Sequence, residues 1–166
     1  MAGHDRLTPE GKKFYAEIEK LKQLQVRVGF KAGDGAADDG TDMCDIAMWN
    51  ELGTYNMPSR PFKKQSVDGH VPEINAFCKA AVRKLVNGGT AEEVLSAVGQ
   101  KHVTLMQKEI RGGGFTPNAQ ITITGGWMRN QKSGKLFHVE GKKSEQPLIN
   151  TGQMRQAVHY FIKEKE

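Results

Sequence analysis

The sequence predicts an α+β fold: a small antiparallel sheet packed against a helical hairpin, with an extended basic β-hairpin as an arm. Three observations predict it. Two segments of helical period flank Asn87-Gly88-Gly89. Gln25 to Phe30 (QVRVGF) alternates and is rich in valine, the pattern of a strand. A triple glycine at 112–114 precedes two short alternating stretches and a run of lysines, which suits an arm joined by a hinge. The 166 residues, 37% hydrophobic and 26% charged, fit a single domain spanning 1–166. Within it, residues 1–24 carry an N-terminal helix and 112–146 form the flexible glycine-rich break and the arm.

Each element has its own signal. Thr8-Pro9-Glu10 opens a helix: a capping hydroxyl, proline in the first turn, then an acid at the positive end of the dipole. Phe14, Ile18 and Leu21 follow at helical spacing. After the first strand, residues 32–42 (AGDGAADDGTD) form an acidic loop. It fails as a calcium loop: with Gly40 at the sixth position, the first, third and twelfth are Gly35, Ala37 and Ile46. Asp42 or Thr41 caps a helix over Met43 to Leu52, and Gly53 stops it. Pro72 to Val86 is a second amphipathic helix. Thr90-Ala91-Glu92-Glu93 is a capping box that opens a third, whose apolar face runs Val94, Leu95, Val98, His102, Leu105, Met106 and Ile110. Arg111 to Phe115 breaks that helix. Gln120 to Thr124 (QITIT) alternates like a strand, Gly125-Gly126 turns the chain, and Leu136 to Val139 is the return strand. Pro147 to Ile149 leads to a short helix opened by Asn150, and an apolar run, Ala157 to Ile162, closes the chain.

Few catalytic patterns survive inspection. Gly134-Lys135-Leu136 fails as a phosphate-binding loop, because Arg129 stands where the first glycine belongs and Leu136 where Ser or Thr belongs. Asn150-Thr151-Gly152 lacks the carboxylate of an aspartic-protease triplet. His4, His70, His102, His138 and His159 show no metal-ligand spacing. Cys44 and Cys78 form no CxxC and read as reduced, buried thiols. The sequence therefore predicts no enzyme, no metal and no cofactor. No apolar run approaches the ~18 residues of a membrane span, and the opening residues do not form a signal peptide; the chain is expected in a cytoplasm until it joins a partner.

Two segments invite a docking role. In Met57 to Phe62, Pro58 and Pro61 fix their own φ and bias Met57 and Arg60 toward extended backbone. This makes a stiff ledge that displays Arg60, with Phe62 as its anchor. Glu51, in a helix's last turn, opposes the dipole and needs a cation, either Arg60 or a neighbouring subunit's lysine. The display implies that Arg60→Ala weakens assembly more than folding. The second segment is the basic stretch Arg129, Lys132, Lys135, Lys142 and Lys143, interleaved with Trp127 and Phe137. Such an arm can follow a phosphate backbone or remain a solvated loop; Trp127 argues for a packing partner. A net charge of +5 suits an acidic partner or DNA.

Trp49-Asn50-Glu51-Leu52-Gly53-Thr54 with Met57-Pro58-Ser59-Arg60-Pro61-Phe62 resembles the first signature of the tail-completion, or neck, proteins of tailed bacteriophages. Pro147-Leu148-Ile149-Asn150-Thr151-Gly152-Gln153-Met154-Arg155, running on to Tyr160, resembles their second, with Asn150 and Ala157 departing from it. The resemblance spans residues 25–163. It implies a non-catalytic virion protein at the head–tail junction, made in the host cytoplasm and assembled as a ring, hexameric by the resemblance, around the DNA channel. The implied partners are other copies of itself, the tail terminator or tail tube protein, and the head connector proteins, with non-specific DNA contact in the lumen. The implied interface comprises Glu51, Gly53, Thr54, Pro58, Arg60, Pro61 and Phe62 of the ledge, Trp127, Arg129, Lys132 and Lys135 of the arm, and Pro147, Leu148, Asn150, Thr151 and Gly152 of the second corner. A tail terminator or connector adaptor, and a basic nucleic-acid-binding protein, are the alternatives.

Overall fold

The computed structural model describes residues 7–142, 145, 147–148 and 152–165. Helix α1 (Pro9–Gln23) begins as its sequence dictates: Thr8 is the N-cap, and its hydroxyl accepts the Gly11 N–H. The chain passes directly into β1 (Leu24–Gly29), which pairs antiparallel with the C-terminal β4 (His159–Glu164). Val26 faces Ile162 and Val28 faces Tyr160 in that register, so the apolar C-terminal run supplies the partner strand. Between them lie α2 (Met43–Leu52), α3 (Phe62–Asp68), α4 (Val71–Val86), α5 (Ala91–Gly112), α6 (Gln120–Thr124), β2 (Gly126–Arg129), β3 (Leu136–Val139) and α7 (Gln153–Gln156).

The architecture is α+β, with two small antiparallel sheets packed against helices. Helices α4 and α5 form the hairpin, and α5 also packs against both strands of the β1–β4 sheet. The Thr90–Glu93 capping box opens α5 in both directions. A close approach makes the sheet contact possible. A Cβ on Gly99, buried in mid-α5, would lie 2.6 Å from the Tyr160 ring and 2.9 Å from Val26. Helix α5 feeds two apolar clusters. Near its start, Val94 and Val98 join Ala81 and Leu85 of α4 with Phe14, Ile18 and Leu21 of α1. Further along, Val103, Met106 and Ile110 join Met43 and Ala47 of α2, Phe62 of α3, Met154 of α7 and Val158.

A buried acid ties α1 to this frame. Glu17 sits on the inner face of α1, accepts the Ala91 N–H at 2.8 Å and pairs with Lys20 at 2.9 Å. Its carboxylate therefore rests at the positive end of α5. The Ala91 N–H, with Lys20 beside it, holds the Glu17 carboxyl below its ordinary range.

Two expected elements differ. Gln120–Thr124 is a helical turn, not a strand: Thr122 and Ile123 donate to Ala119 O, and the Thr124 hydroxyl bonds back to Gln120 O. The partner of Leu136–Val139 is instead Gly126–Arg129, so Gly126 starts a strand rather than completing a turn. A hairpin closed across residues 130–135 is shorter than one closed across 125–135, and the shorter loop costs less entropy. Helix α3 adds a turn that the sequence reading placed in no element. Its Phe62 and Ser66 are buried one turn apart, while Lys63 and Lys64 face solvent.

Candidate protein interface

The first corner is built by its own backbone. Gly53 ends α2 with φ 78°, and a Cβ there would meet Ser59 N at 2.8 Å. Only glycine permits both the left-handed conformation and the approach. The chain then doubles back: Thr54 and Met57 exchange N–H···O bonds at 2.9 and 3.3 Å, leaving Tyr55 97% exposed at the tip. The Ser59 hydroxyl donates to Glu51 O at 2.7 Å, and the Arg60 N–H donates to Asn50 O at 2.7 Å. The ledge ends at Pro61, the half-buried N-cap of α3. Phe62, 1% exposed, anchors the corner edge-on against Phe30, with ring centroids 6.0 Å apart.

The two charged residues of the corner do not meet as expected. Glu51 turns away from Arg60. Its two carboxylate oxygens accept the Lys63 and Lys64 N–H groups at 2.8 and 3.0 Å. Pro61 has no side-chain cap to offer α3, so Glu51 caps that helix from the preceding one. The positive end of α3 thereby offsets the unfavourable end of α2. Arg60 is not displayed. It is 5% exposed and grips the 116–118 loop: Nε donates to Thr116 O at 3.2 Å, and Nη2 to Asn118 Oδ1 at 3.1 Å and Pro117 O at 3.4 Å. Nη1 lies 3.5 Å from Asn50 Oδ1. The planar fork reaches several oxygens at once, which lysine cannot do. Burial lowers its pKa from the ordinary value, yet the guanidinium stays charged at neutral pH.

Arg60 forms part of the wall of a cavity of about 850 Å³. Trp49, Asn50, Met57 and Pro58 line it from the first motif; Leu148, Gly152, Gln153 and Met154 line it from the second. Thr116 to Ala119, Thr122 and Lys142 form a third wall, and Asp38 and Asp39 stand beside them. The Thr41 N–H and hydroxyl hold the Asp39 carboxyl below its ordinary range, with a smaller pull from Lys142. Asp38 accepts Gln153 Nε2 at 3.1 Å, joining the acidic loop to α7. Leu148 adopts φ 67° and packs on the core beside the cavity. Asn150 and Thr151 lie outside the described residues. The N-cap of α7 is Gly152, at φ 79°, rather than Asn150.

No residue of the arm's hairpin, 126–139, lines this cavity. Trp127 faces His138 across the hairpin, ring centroids 5.3 Å apart, and Met128 faces Phe137. Asn130 shapes the tip by accepting the Lys132 and Ser133 N–H groups at 2.9 and 3.0 Å. Arg129, Lys132 and Lys135 are exposed. So are Trp127 at 69% and Leu136 at 61%, with Met128 and Phe137 at lower values.

The structure thus brings Pro58 and Arg60 together with Leu148 and Gly152 around one cavity; Pro147 is half-buried in the turn that precedes Leu148. Glu51, Gly53, Pro61 and Phe62 serve the corner from within, and Thr54 is exposed at its turn. Sequence reasoning missed the Thr116 and Pro117 carbonyls, since backbone oxygens have no residue signature, and the Asn118 side chain beside them. It also missed the apolar face of Met48, Trp49 and Leu52, 43–71% exposed, whose spacing along α2 is readable, and Tyr55 at the tip of the turn beyond that helix. Among the described residues no helix is long and apolar enough to cross a membrane, and no cluster of three or more His, Cys, Asp or Glu could hold a metal ion. No family model, curated protein or solved structure matches the chain.

Proposed function

We propose that this chain is a structural protein of a tailed-phage virion, acting at the head–tail junction. On this reading it forms a ring that joins the tail's upper end to the head connector around the DNA channel. The observation that carries the proposal is the meeting of the two signature segments. Residues about a hundred positions apart, Met57, Pro58 and Arg60 with Leu148, Gly152 and Met154, line one cavity. The lining combines apolar side chains with amides and charges, and contains no histidine or cysteine among the described residues, a composition suited to recognition. A ring needs two different faces that meet head to tail, and a fixed corner with a separate arm supplies two. The partners on this reading are further copies of the chain, the tail terminator or tail tube protein, and the connector. A tail terminator or connector adaptor would use the same ring logic.

The test is to add purified protein to tails, and to heads made without it, and to image both by electron microscopy. New density on the tail's upper end or on the connector is expected. Density on neither particle would overturn the proposal. The exposed cations Arg129, Lys132 and Lys135 favour a second reading, binding to nucleic acid. That reading requires retention of duplex DNA that falls steeply as salt rises.

A further inference from the structure

Four large apolar side chains, Trp127, Met128, Leu136 and Phe137, are 41–69% exposed on a hairpin whose strands have only four residues each. An isolated two-stranded hairpin is marginal in water, and clustered exposed apolar groups mark a contact surface. Phosphate contacts would occupy the cations and leave Trp127 and Leu136, the most exposed of the four, wet. The pairing register puts Trp127, Arg129, Leu136 and His138 on one face, so the two most exposed apolar groups share a face with a cation. The same chain carries the complement. Its cavity offers Trp49, Met57 and Met154, with two carboxylates, Asp38 and Asp39, against the one cation Lys142, Arg60 being held by the 116–118 loop, and no residue of 126–139 lines it.

We propose that the arm of one copy seats in the cavity of the next. Trp127 and Leu136 bury against Trp49, Met57 and Met154, and Lys132 and Lys135 lie over Asp38 and Asp39. The contact rests on the ring reading above, and it assigns the two faces that a head-to-tail ring joins. Asn130 already shapes the tip, so docking has only the strands left to order.

A photo-crosslinking amino acid at position 127, benzoylphenylalanine, tests it. The unlabelled variant is mixed with isotope-labelled wild-type chain at millimolar concentration and irradiated, and mixed-isotope peptides are read by mass spectrometry. Trp127 is exposed, so the fold tolerates the change. Cross-links to labelled peptides carrying Trp49, Met57 or Met154 are expected. They should disappear with Lys132→Glu and Lys135→Glu, and return when the labelled copy carries Asp38→Lys and Asp39→Lys. Cross-links elsewhere, arm-to-arm products, no cross-links at all, or loss without return would each overturn the proposal, as would their displacement by duplex DNA held through the same lysines. The head–tail reading fails separately. Density on tails without these cross-links would mean that the ring uses other faces; cross-links without density would mean a self-assembling protein of another role.

Discussion

Arg60→Ala should destabilise the fold before it disables any docking. Two bonds from the charged fork are close to ordinary length, 3.2 Å to Thr116 O and 3.1 Å to Asn118 Oδ1; those to Pro117 O and Asn50 Oδ1, at 3.4 and 3.5 Å, are at the limit. Bonds from a charged donor contribute about 1.5 kcal/mol each at the low end, so the two short ones give about 3 kcal/mol. Removing a buried cation also removes its desolvation cost, and water entering the cavity can satisfy part of the 116–118 loop. A net loss of about 2 kcal/mol remains. Urea denaturation should show it as a midpoint lowered by about 1 M, for a slope of about 2 kcal/mol/M. Thermal unfolding should fall by about 4–8 °C. Arg60→Lys should recover less than half, because one ammonium cannot bridge Thr116 and Asn118 together. A stability change under about 0.5 kcal/mol, with loss of assembly into particles, would refute this reasoning and restore the displayed arginine that the prolines suggest.

Gly99→Ala should lose about 1–2 kcal/mol in the same assay: overpacking against Tyr160 and Val26 outweighs the helix propensity gained. Gly112→Ala, at the end of the same helix with no atom within 4 Å of its Cβ, should instead be neutral or gain up to about 0.5 kcal/mol; equal effects at the two sites would contradict the packing argument. Glu17 has a depressed folded pKa, so its contribution is complete above the ordinary glutamate pKa and is lost as pH falls through the folded value. Stability curves of wild type and Glu17→Gln should therefore converge on acidification, and parallel curves down to pH ~2 would exclude the Ala91 and Lys20 contacts as the cause. Deleting Met128 to Gly134 should leave a cooperative thermal transition, since the hairpin pairs only with itself; a broad, non-cooperative melt would make the arm part of the core.

Elements with punctuation at their ends were legible in the sequence. Thr8 caps α1, Asp42 caps α2, and Thr90 with Glu93 brackets the start of α5, because a capping side chain sits within three residues of the N–H it satisfies. Helix α3 was not legible: seven residues with two lysines in the first turn carry no apolar period. Nor was α6, where five residues of Ile and Thr fit an alternating strand as well as one helical turn. At the candidate site the limit was range. The loop that Arg60 grips lies 56 to 58 residues away, and two of its three acceptors are backbone carbonyl oxygens. Glu51 meets backbone N–H groups 12 and 13 residues on, while the plausible cation, Arg60, stands closer in sequence. Gly99 carried a signal of a kind, a glycine inside a helix, but its cause is a ring more than sixty residues away.

The polar atoms of the first signature are largely consumed inside the corner. Glu51 caps α3, the Ser59 hydroxyl closes on Glu51 O, and Arg60 holds the 116–118 loop. The large side chains that the corner turns outward are apolar: Leu52 at 71% and Tyr55 at 97% exposure, beside Met48 and Trp49. A partner docking here gains affinity from burying those side chains, at about 1.5–3 kcal/mol for a large apolar group fully covered, rather than from a salt bridge to Arg60. Tyr55→Ser should then leave stability within about 0.5 kcal/mol, as expected for a side chain with almost no contacts in the monomer. The same substitution should reduce incorporation into particles when competed against wild type. That is the reverse of the pattern expected for Arg60→Ala. Equal incorporation of Tyr55→Ser and wild type would confine the first signature to shaping the chain and leave the cavity and the arm to make the contacts.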